Sequence, residues 1–195
     1  GRLFLARLYS NYGLDHEAIR LAYTVRRDAE QAGIKRISHE LLPLLYPVKY
    51  VQSIIESGLE PAFLLAVIRQ ESYFNPRALS PANAMGLMQI IPRTGSLLAK
   101  DLQMAEYNLY DPDVSLKFGT KYLKDQVDRF DCLPLALAAY NGGPVNVIRW
   151  LNRDPASELD EFIELIPFDE TRDYVKNVLL QKEIYTHLIN AGDLP

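Results

Sequence analysis

The pattern of apolar and polar positions along the chain is helical almost throughout. In residues 15–33, apolar residues recur at helical spacing between Asp15, which can cap a helix, and Gly33, which can end one. Residues 2–12 show a second helical segment just before it, so a short turn should join an antiparallel pair. Such a pair cannot bury its apolar face alone, and we expect it to be the end of a larger helical array.

The next predicted helix follows a short connection. Residues 34–46 are interpreted as that connection, with one short helix within it. From Pro47 to Gly58 the pattern places Val48, Val51 and Ile55 on one helical face.

Four more helices and one long loop complete the pattern. The segment 74–95 is rich in proline and glycine and is predicted to be irregular. The helices are predicted to open at Pro61, at a Ser115 cap, at Pro134 and near Thr171. Beyond short fragments no period-two alternation is found, so the fold class is all-α.

Composition narrows the choice of function. The chain has 195 residues, of which 48% are hydrophobic, enough for one substantial core or for one domain and part of a second. Its net charge of −4 at pH 7 argues against a nucleic-acid partner. No cysteine or histidine spacing suggests a metal, and no cofactor is expected. The chain starts without Met or a signal-peptide pattern, which predicts a fragment of a longer protein.

One carboxylate continues an apolar helical stripe. Residues 62–68 are apolar on all sides, which predicts a helix enclosed by protein. Glu71 follows Leu64, Val67 and Ile68 at helical spacing, close to the helix end. Partial burial and the negative end of the helix dipole both raise a carboxyl pKa, and a protonated carboxyl is what a general acid needs. The alternative is an exposed Glu71 that pairs with a nearby basic residue, namely Arg69, Arg77 or Lys124.

Two further motifs combine apolar residues with isolated polar groups. Residues 80–92 are too rich in turn formers for a regular helix and too apolar for a free loop, so Ser80 and Gln89 should be held in position. Residues 134–144 are predicted to be a helix of small residues that ends in Tyr140 and is followed by a turn. The Tyr140 hydroxyl could therefore reach a neighbouring site. Taken separately, each motif is also consistent with an ordinary core loop or a close-packed helix.

Together these motifs resemble the catalytic domain of the soluble lytic transglycosylases, which has a lysozyme-like (goose-type) fold. The ordered match runs from about residue 46 to 190 and is carried by these segments: Gln70-Glu71-Ser72, Phe74-Asn75-Pro76, Ser80, residues 86–92, Ala139-Tyr140-Asn141, Gly143-Pro144, Ile166-Pro167-Phe168, Glu170-Thr171-Arg172 and Tyr174-Val175. The resemblance implies a catalytic domain at 46–195, preceded at 1–45 by the end of an α-helical superhelix. The chain departs from the commoner family choices at Asn83, Met85, Ile91 and Gly142.

The resemblance implies cleavage of the β-1,4 bond between N-acetylmuramic acid and N-acetylglucosamine in peptidoglycan, leaving a 1,6-anhydro muramyl end. Glu71 would be the single general acid and base, and Tyr140 would hydrogen-bond its carboxyl. No second acidic residue accompanies Glu71 in the cleft motifs, the next along the chain being Asp101. A hydrolase would need such a group, whereas an internal hydroxyl nucleophile would not.

The same resemblance implies roles in ligand binding. Ser80 and Gln89 would contact the sugars, Met88 and Ile91 would offer apolar contact, and Gly86 would allow close approach. Asn141 would order its loop, while Glu164 and Glu170 are candidates for contacting the stem peptide. For Glu170 a role at the start of the last helix is favoured slightly, since an acidic residue there interacts well with the helix dipole.

The expected partners are peptidoglycan glycan strands and their stem peptides, with proteins of cell-wall synthesis as further candidates. The family also implies a monomer located in the periplasm or cell envelope. Two other functions stay open: a goose-type hydrolase in which water replaces the internal hydroxyl, and a module that binds glycan without cleaving it.

Overall fold

The structure is a computed structural model that describes residues 1–34, 39–153 and 158–191. Its described residues form eleven helices and no strand; two isolated bridges join Leu79 to Met85 and Met85 to Ile90. In chain order the helices are α1 (Arg2–Asn11), α2 (Asp15–Gln31), α3 (Leu42–Leu45), α4 (Val51–Ser57), α5 (Pro61–Ser72), α6 (Pro92–Asp101), α7 (Pro112–Phe130), α8 (Leu133–Gly142), α9 (Pro144–Arg153), α10 (Leu159–Leu165) and α11 (Asp169–Asn190). The all-α prediction is confirmed.

Helix α5 lies at the centre of the molecule. All of its residues from Ala62 to Arg69 are buried, which agrees with the uniform apolar run in the sequence. The long helix α11 packs along α5, and α8 packs between α11 and α7. The helix that ends in Glu71 is therefore enclosed on most sides.

The N-terminal pair is present as α1 and α2, joined by a turn and packed on each other. Asp15 does not cap α2 as predicted, because no side-chain hydrogen bond closes that end. Its carboxylate is buried and lies 3.7 Å from the ammonium of Lys49, and burial raises its pKa. Part of the predicted connection, residues 35–38, lies outside the described residues, and α3 is the short helix within the rest.

Helix α4 begins four residues later than predicted and buries a different face. Tyr50 adopts a left-handed conformation with φ of 58°, so the chain cannot be helical before Val51. Ile54 is 2% exposed, whereas Val51 is 49% and Ile55 62% exposed. The predicted stripe is therefore wrong, although the end at Gly58 is confirmed.

Helix starts were predicted with errors of a few residues. The cap of α7 is Asp111, whose carboxylate accepts from the backbone N–H groups of Asp113 and Val114, and Ser115 lies inside the helix. Helix α11 starts at Asp169 rather than near Thr171. Helices α6, α9 and α10 were not predicted, although α6 and α9 begin at Pro92 and Pro144, and proline is a residue type that often opens a helix.

No single helix among the described residues is long and apolar enough to cross a membrane. Helices α4 and α5 meet the length and composition criteria only when taken together, and they are bent by 118° at the break between them.

Candidate active site

An open cleft of about 670 Å³ lies beside the end of α5. Helix α5 and the following loop contribute Glu71, Ser80, Gln89 and Ile91 to its lining. Helices α8 and α11 contribute Tyr140, Asn141, Glu170, Asp173, Tyr174 and Asn177. The described lining residues include three carboxyl groups, those of Glu71, Glu170 and Asp173, and no basic side chain.

Glu71 is the most strongly perturbed carboxyl group in this cleft. Burial raises its pKa from the usual 4.5 to about 8; a hydrogen bond from Tyr174 opposes the rise and the charge of Glu170 adds to it. The side chain is half-buried and opens into the cleft. Glu71 forms no ion pair with the described basic residues, which rules out the exposed, ion-paired alternative. At neutral pH the carboxyl is largely protonated and faces the space where a ligand would bind.

Tyr174 is a cleft residue that the sequence analysis did not assign. Its side chain is 5% exposed, and its hydroxyl is buried without a hydrogen bond of normal geometry. The group nevertheless lies close enough to Glu71 to lower the pKa of that carboxyl. Glu170, Tyr174 and Asn177 have the spacing i, i+4 and i+7, which places them on one face of α11 and could have pointed to this role.

Tyr140 reaches the cleft but donates its hydrogen bond elsewhere than predicted. Its hydroxyl donates to the Met88 carbonyl oxygen at 2.7 Å. With its proton donated to Met88, the Tyr140 hydroxyl keeps only oxygen lone pairs, which can accept from a protonated carboxyl but cannot donate to a carboxylate. Burial, followed by the neighbouring charge of Glu71, raises the pKa of the Tyr140 hydroxyl well above its usual value.

The Met88 peptide is held on both sides. Its N–H donates to the Ser115 hydroxyl at 3.1 Å, and its carbonyl accepts from Tyr140. Both side chains are buried, so each bond is protected from water. Ser115 thus supports the cleft loop from inside α7, a role that its position in the sequence did not indicate.

Two loop residues predicted to contact glycan do not line the cleft. The Met88 side chain is 0% exposed and fills the core. It packs so closely on Gly119 that a Cβ added to that glycine would lie 2.3 Å from the Cβ of Met88. Gly86, with φ of 76°, is needed where an added Cβ would come within 2.0 Å of the Leu109 carbonyl oxygen. The predicted apolar contact of the Met88 side chain with glycan is therefore wrong, and the close approach that Gly86 allows is that of the Leu109 backbone.

Ser80, Gln89 and Ile91 do line the cleft. The Ser80 hydroxyl accepts from the Ala84 N–H at 3.0 Å, closing a turn in which Asn83 takes a left-handed conformation, which asparagine tolerates. The Gln89 amide nitrogen donates to the Gly86 carbonyl at 2.8 Å, which leaves its amide oxygen for a ligand. These contacts position the side chains, and their ligand roles stay predictions.

The last three predicted site residues fall into two groups. The Asn141 amide oxygen accepts from the Thr171 hydroxyl at 2.7 Å, which joins the end of α8 to the start of α11. Glu170 lines the cleft at the start of α11. Glu164 is outside the cleft lining and forms an ion pair with Lys176 at 2.8 Å, so the structure does not bring it to the site.

No metal centre is found in the part of the chain that the structure describes, since no three His, Cys, Asp or Glu residues lie together. A carboxylic acid of raised pKa that faces an open cleft is an arrangement suited to acid–base catalysis.

Comparisons with known proteins identify the family. The family profile described as "Transglycosylase SLT domain" matches residues 52–163, and the one described as "Soluble lytic transglycosylase helical domain" matches residues 165–193. The chain is 37% identical over 161 residues to the soluble lytic murein transglycosylase of Salmonella typhimurium, covering 79% of this chain and 25% of that protein. The chain belongs to the soluble lytic transglycosylase family.

Solved structures agree with this assignment. A lytic transglycosylase from Pseudomonas aeruginosa, determined as an inactive glutamate-to-glutamine mutant, matches with a TM-score of 0.79 and 33% identity over 95% of this chain and 30% of that one. The 70 kDa soluble lytic transglycosylase of Escherichia coli matches with a TM-score of 0.79 and 31% identity over the same shares. The lysozyme-like fold is thereby confirmed, and the chain spans about a quarter of the curated relative's length.

Proposed function

We propose that this chain carries the catalytic domain of a lytic transglycosylase that cleaves the bond between N-acetylmuramic acid and N-acetylglucosamine in peptidoglycan. The observation that carries the proposal is the protonated Glu71 carboxyl, with its pKa raised to about 8 by burial, exposed to a ligand-sized cleft. The family membership supplies the substrate class.

In the proposed reaction Glu71 acts twice. Its carboxyl first donates a proton to the glycosidic oxygen, which leaves with N-acetylglucosamine as the bond to C1 breaks. The resulting carboxylate then accepts the proton of the muramic C6 hydroxyl while that oxygen bonds to C1 and forms the 1,6-anhydro ring. The group ends the cycle protonated, so a single carboxyl suffices when the nucleophile belongs to the substrate.

The surroundings of Glu71 suit these two states. Tyr140 offers lone pairs to the protonated acid, because its proton goes to Met88. The buried hydroxyl of Tyr174 has a proton to donate to the carboxylate formed halfway through the reaction. Each tyrosine thus favours one of the two protonation states.

Hydrolysis is the second candidate, and one observation favours it. The sequence suggested no second acidic residue near Glu71, but the fold brings Glu170 and Asp173 of α11 into the same cleft lining. Either carboxylate is of the type that activates water in an inverting hydrolase. The two reactions differ in their products rather than in the acid.

The discriminating experiment is mass spectrometry of the fragments released from purified peptidoglycan. We expect anhydro-muramyl products. Each is lighter than the corresponding hydrolysis product by the mass of one water molecule, about 18 Da, because no water is added in the cleavage. Reducing muramic ends would instead assign a hydrolase and direct attention to Glu170 and Asp173. Binding of glycan strands without any release would assign a binding module.

We infer an envelope location from this substrate, since peptidoglycan lies there. The stem peptides, proteins of cell-wall synthesis and the monomeric state stay predictions. The assignment of residues 1–45 to the end of a superhelix is likewise a proposal, supported by the helical pair α1 and α2.

A further inference from the structure

Arg69 is a buried charge that the proposed mechanism does not use. It lies on α5 two residues before Glu71 and is 1% exposed. Its Nε donates to the Leu45 carbonyl oxygen at 2.9 Å, and its Nη2 donates to the Tyr23 hydroxyl at 2.7 Å. Within the described residues it forms no ion pair with a carboxylate.

Three tyrosine rings surround the guanidinium instead. The distances from the Arg69 Cζ to the ring centroids are 4.6 Å for Tyr46, 5.4 Å for Tyr23 and 5.6 Å for Tyr73. These distances allow cation–π attraction, which is strongest for a desolvated cation. An arginine cannot shed its charge on burial, so these rings and the two oxygen acceptors together compensate for lost hydration.

Apart from Tyr73, which directly follows α5, the partners of Arg69 come from other parts of the chain. Tyr23 lies on α2, Leu45 ends α3 and Tyr46 follows it. The pair Leu45 and Tyr46 spans the boundary predicted between the N-terminal segment and the catalytic domain. The guanidinium therefore ties both sides of that boundary to the last turns of α5.

Arg69 lies on the face of α5 that is opposite Glu71. Two residues correspond to about 200° of rotation in an α-helix, so Arg69 and Glu71 point to nearly opposite sides. Helix ends fray unless they are held, and α5 ends immediately afterwards, where Tyr73 and Phe74 have φ values of 50° and 62°. An anchor on the back of this last turn fixes where the carboxyl on its front lies.

We propose that Arg69 is a positioning residue through which the N-terminal helical segment holds Glu71 in place, so that this segment is part of the catalytic unit. The proposal rests on the proposed function of Glu71. It predicts that loosening the tyrosine cage affects the catalytic step although no cage residue is itself among the residues that line the cleft.

The mildest test is Tyr23→Phe, which removes the hydroxyl that accepts from Arg69 but keeps the ring. The matched control is Tyr12→Phe in the turn that joins α1 to α2, where the side chain is 77% exposed. We expect Tyr23→Phe to lower kcat for glycan-strand cleavage by about tenfold with KM within about twofold, because small displacements of a catalytic group are costly. Tyr12→Phe should leave both constants unchanged.

A second test reads Glu71 without relying on activity. In protein labelled with ¹³C at glutamate carboxyls, the Glu71 signal is assigned by its absence in Glu71→Gln, and its titration is followed by NMR. In Arg69→Met we expect the pKa of Glu71 to fall from about 8 toward 4.5, because water reaches a loosened helix end. If Arg69→Met does not fold, the same titration is performed on Tyr23→Phe, where a fall in the same direction is expected.

The outcomes separate the positioning role from a merely structural one. A structural role would lower the unfolding temperature while leaving the Glu71 titration and kcat of the folded protein unchanged, and that result would overturn the proposal. If the wild-type chain releases no glycan fragments, the proposed function fails instead. The NMR titration then still decides whether Arg69 positions Glu71.

Discussion

Arg69 and Glu71 lie two residues apart at the end of the same buried helix, yet the protein treats their charges in opposite ways. Arg69 is sealed from water and keeps its charge, supported by three aromatic rings and two oxygen acceptors. Glu71 opens into a cleft, and burial raises its pKa to about 8. One charge is compensated by the surrounding protein, and the other is suppressed by protonation.

The difference follows from the chemistry of the two groups. A guanidinium stays charged at any pH a protein tolerates, so its burial requires partners. A carboxyl can escape the cost of burial by binding a proton, and this makes it an acid that works near neutral pH. A buried charge with full compensation indicates a holding role, whereas a buried group with a shifted pKa indicates proton transfer.

The comparison is tested most strongly by Glu71→Gln. We expect glycan cleavage to fall by about 10³-fold or more, because the amide cannot donate or accept the proton. The variant should remain folded, since the amide matches the size of the protonated carboxyl. Rates of fragment release and far-UV circular dichroism check the two statements.

Glu164→Gln is the matched control for that variant. It makes the same chemical change at an exposed residue outside the cleft lining. Near-normal cleavage is expected here, and a comparable loss in both variants would mean that the cleft acid has been misassigned.

The next largest effect concerns stability as a function of pH. The pKa of Glu71 is raised on folding, so its stabilising contribution is present below the unfolded value near 4.5 and is lost as pH rises toward 8. The free energy of unfolding should fall across this window by a few kcal/mol relative to Glu71→Gln. Urea titrations at several pH values measure the difference.

Arg69→Met gives the contrasting result in the same experiment. Arg69→Met changes the free energy of unfolding, and the arginine itself should make no pH-dependent contribution to this change between pH 4.5 and 8. The reason is that a guanidinium does not titrate in this range. If the difference in unfolding free energy between wild type and Arg69→Met does vary with pH, that variation arises through the Glu71 carboxyl. It should disappear when Glu71→Gln is present in both proteins.

A smaller effect is expected for Tyr140→Phe. Loss of the hydroxyl leaves the buried Met88 carbonyl without its donor, which costs about 1–3 kcal/mol in unfolding free energy. Thermal and urea unfolding measure this loss. The exposed change Tyr12→Phe should cost nothing measurable, and equal effects in the two variants would contradict the assigned bond.

The smallest effect is expected for Tyr174→Phe. The Tyr174 hydroxyl lowers the pKa of Glu71, so removal of that hydroxyl should raise this pKa. The alkaline limb of the profile of kcat against pH should then move to higher pH by about half a unit. A shift to lower pH would mean that the hydroxyl does not support the carboxylate. The profile of Tyr140→Phe provides the comparison, since that hydroxyl favours the protonated form.

The helical class and the partly buried position of Glu71 could be predicted because both follow from local patterns. The run from Ala62 to Ile68 specifies an enclosed helix by composition, and Glu71 extends it by spacing. The same reasoning failed for Met88, because a loop has no periodic sequence pattern from which the burial of a side chain can be predicted. It also failed for Val51 and Ile55, since Tyr50 shifts the start of α4 and Ile54 becomes the buried residue.

The amino-acid sequence by itself determined the all-α class and the helix that carries Glu71, because helical periodicity and burial are encoded within a few turns. The role of Glu71 as the acid stays a prediction, which the family resemblance supports. Only the tertiary structure decided what surrounds that acid. Tyr174 and Glu170 reach it from α11, and Tyr23 reaches Arg69 from α2, across separations of about a hundred and of 46 residues. A pKa and a cation cage depend on neighbours in space, and packing alone brings those neighbours together.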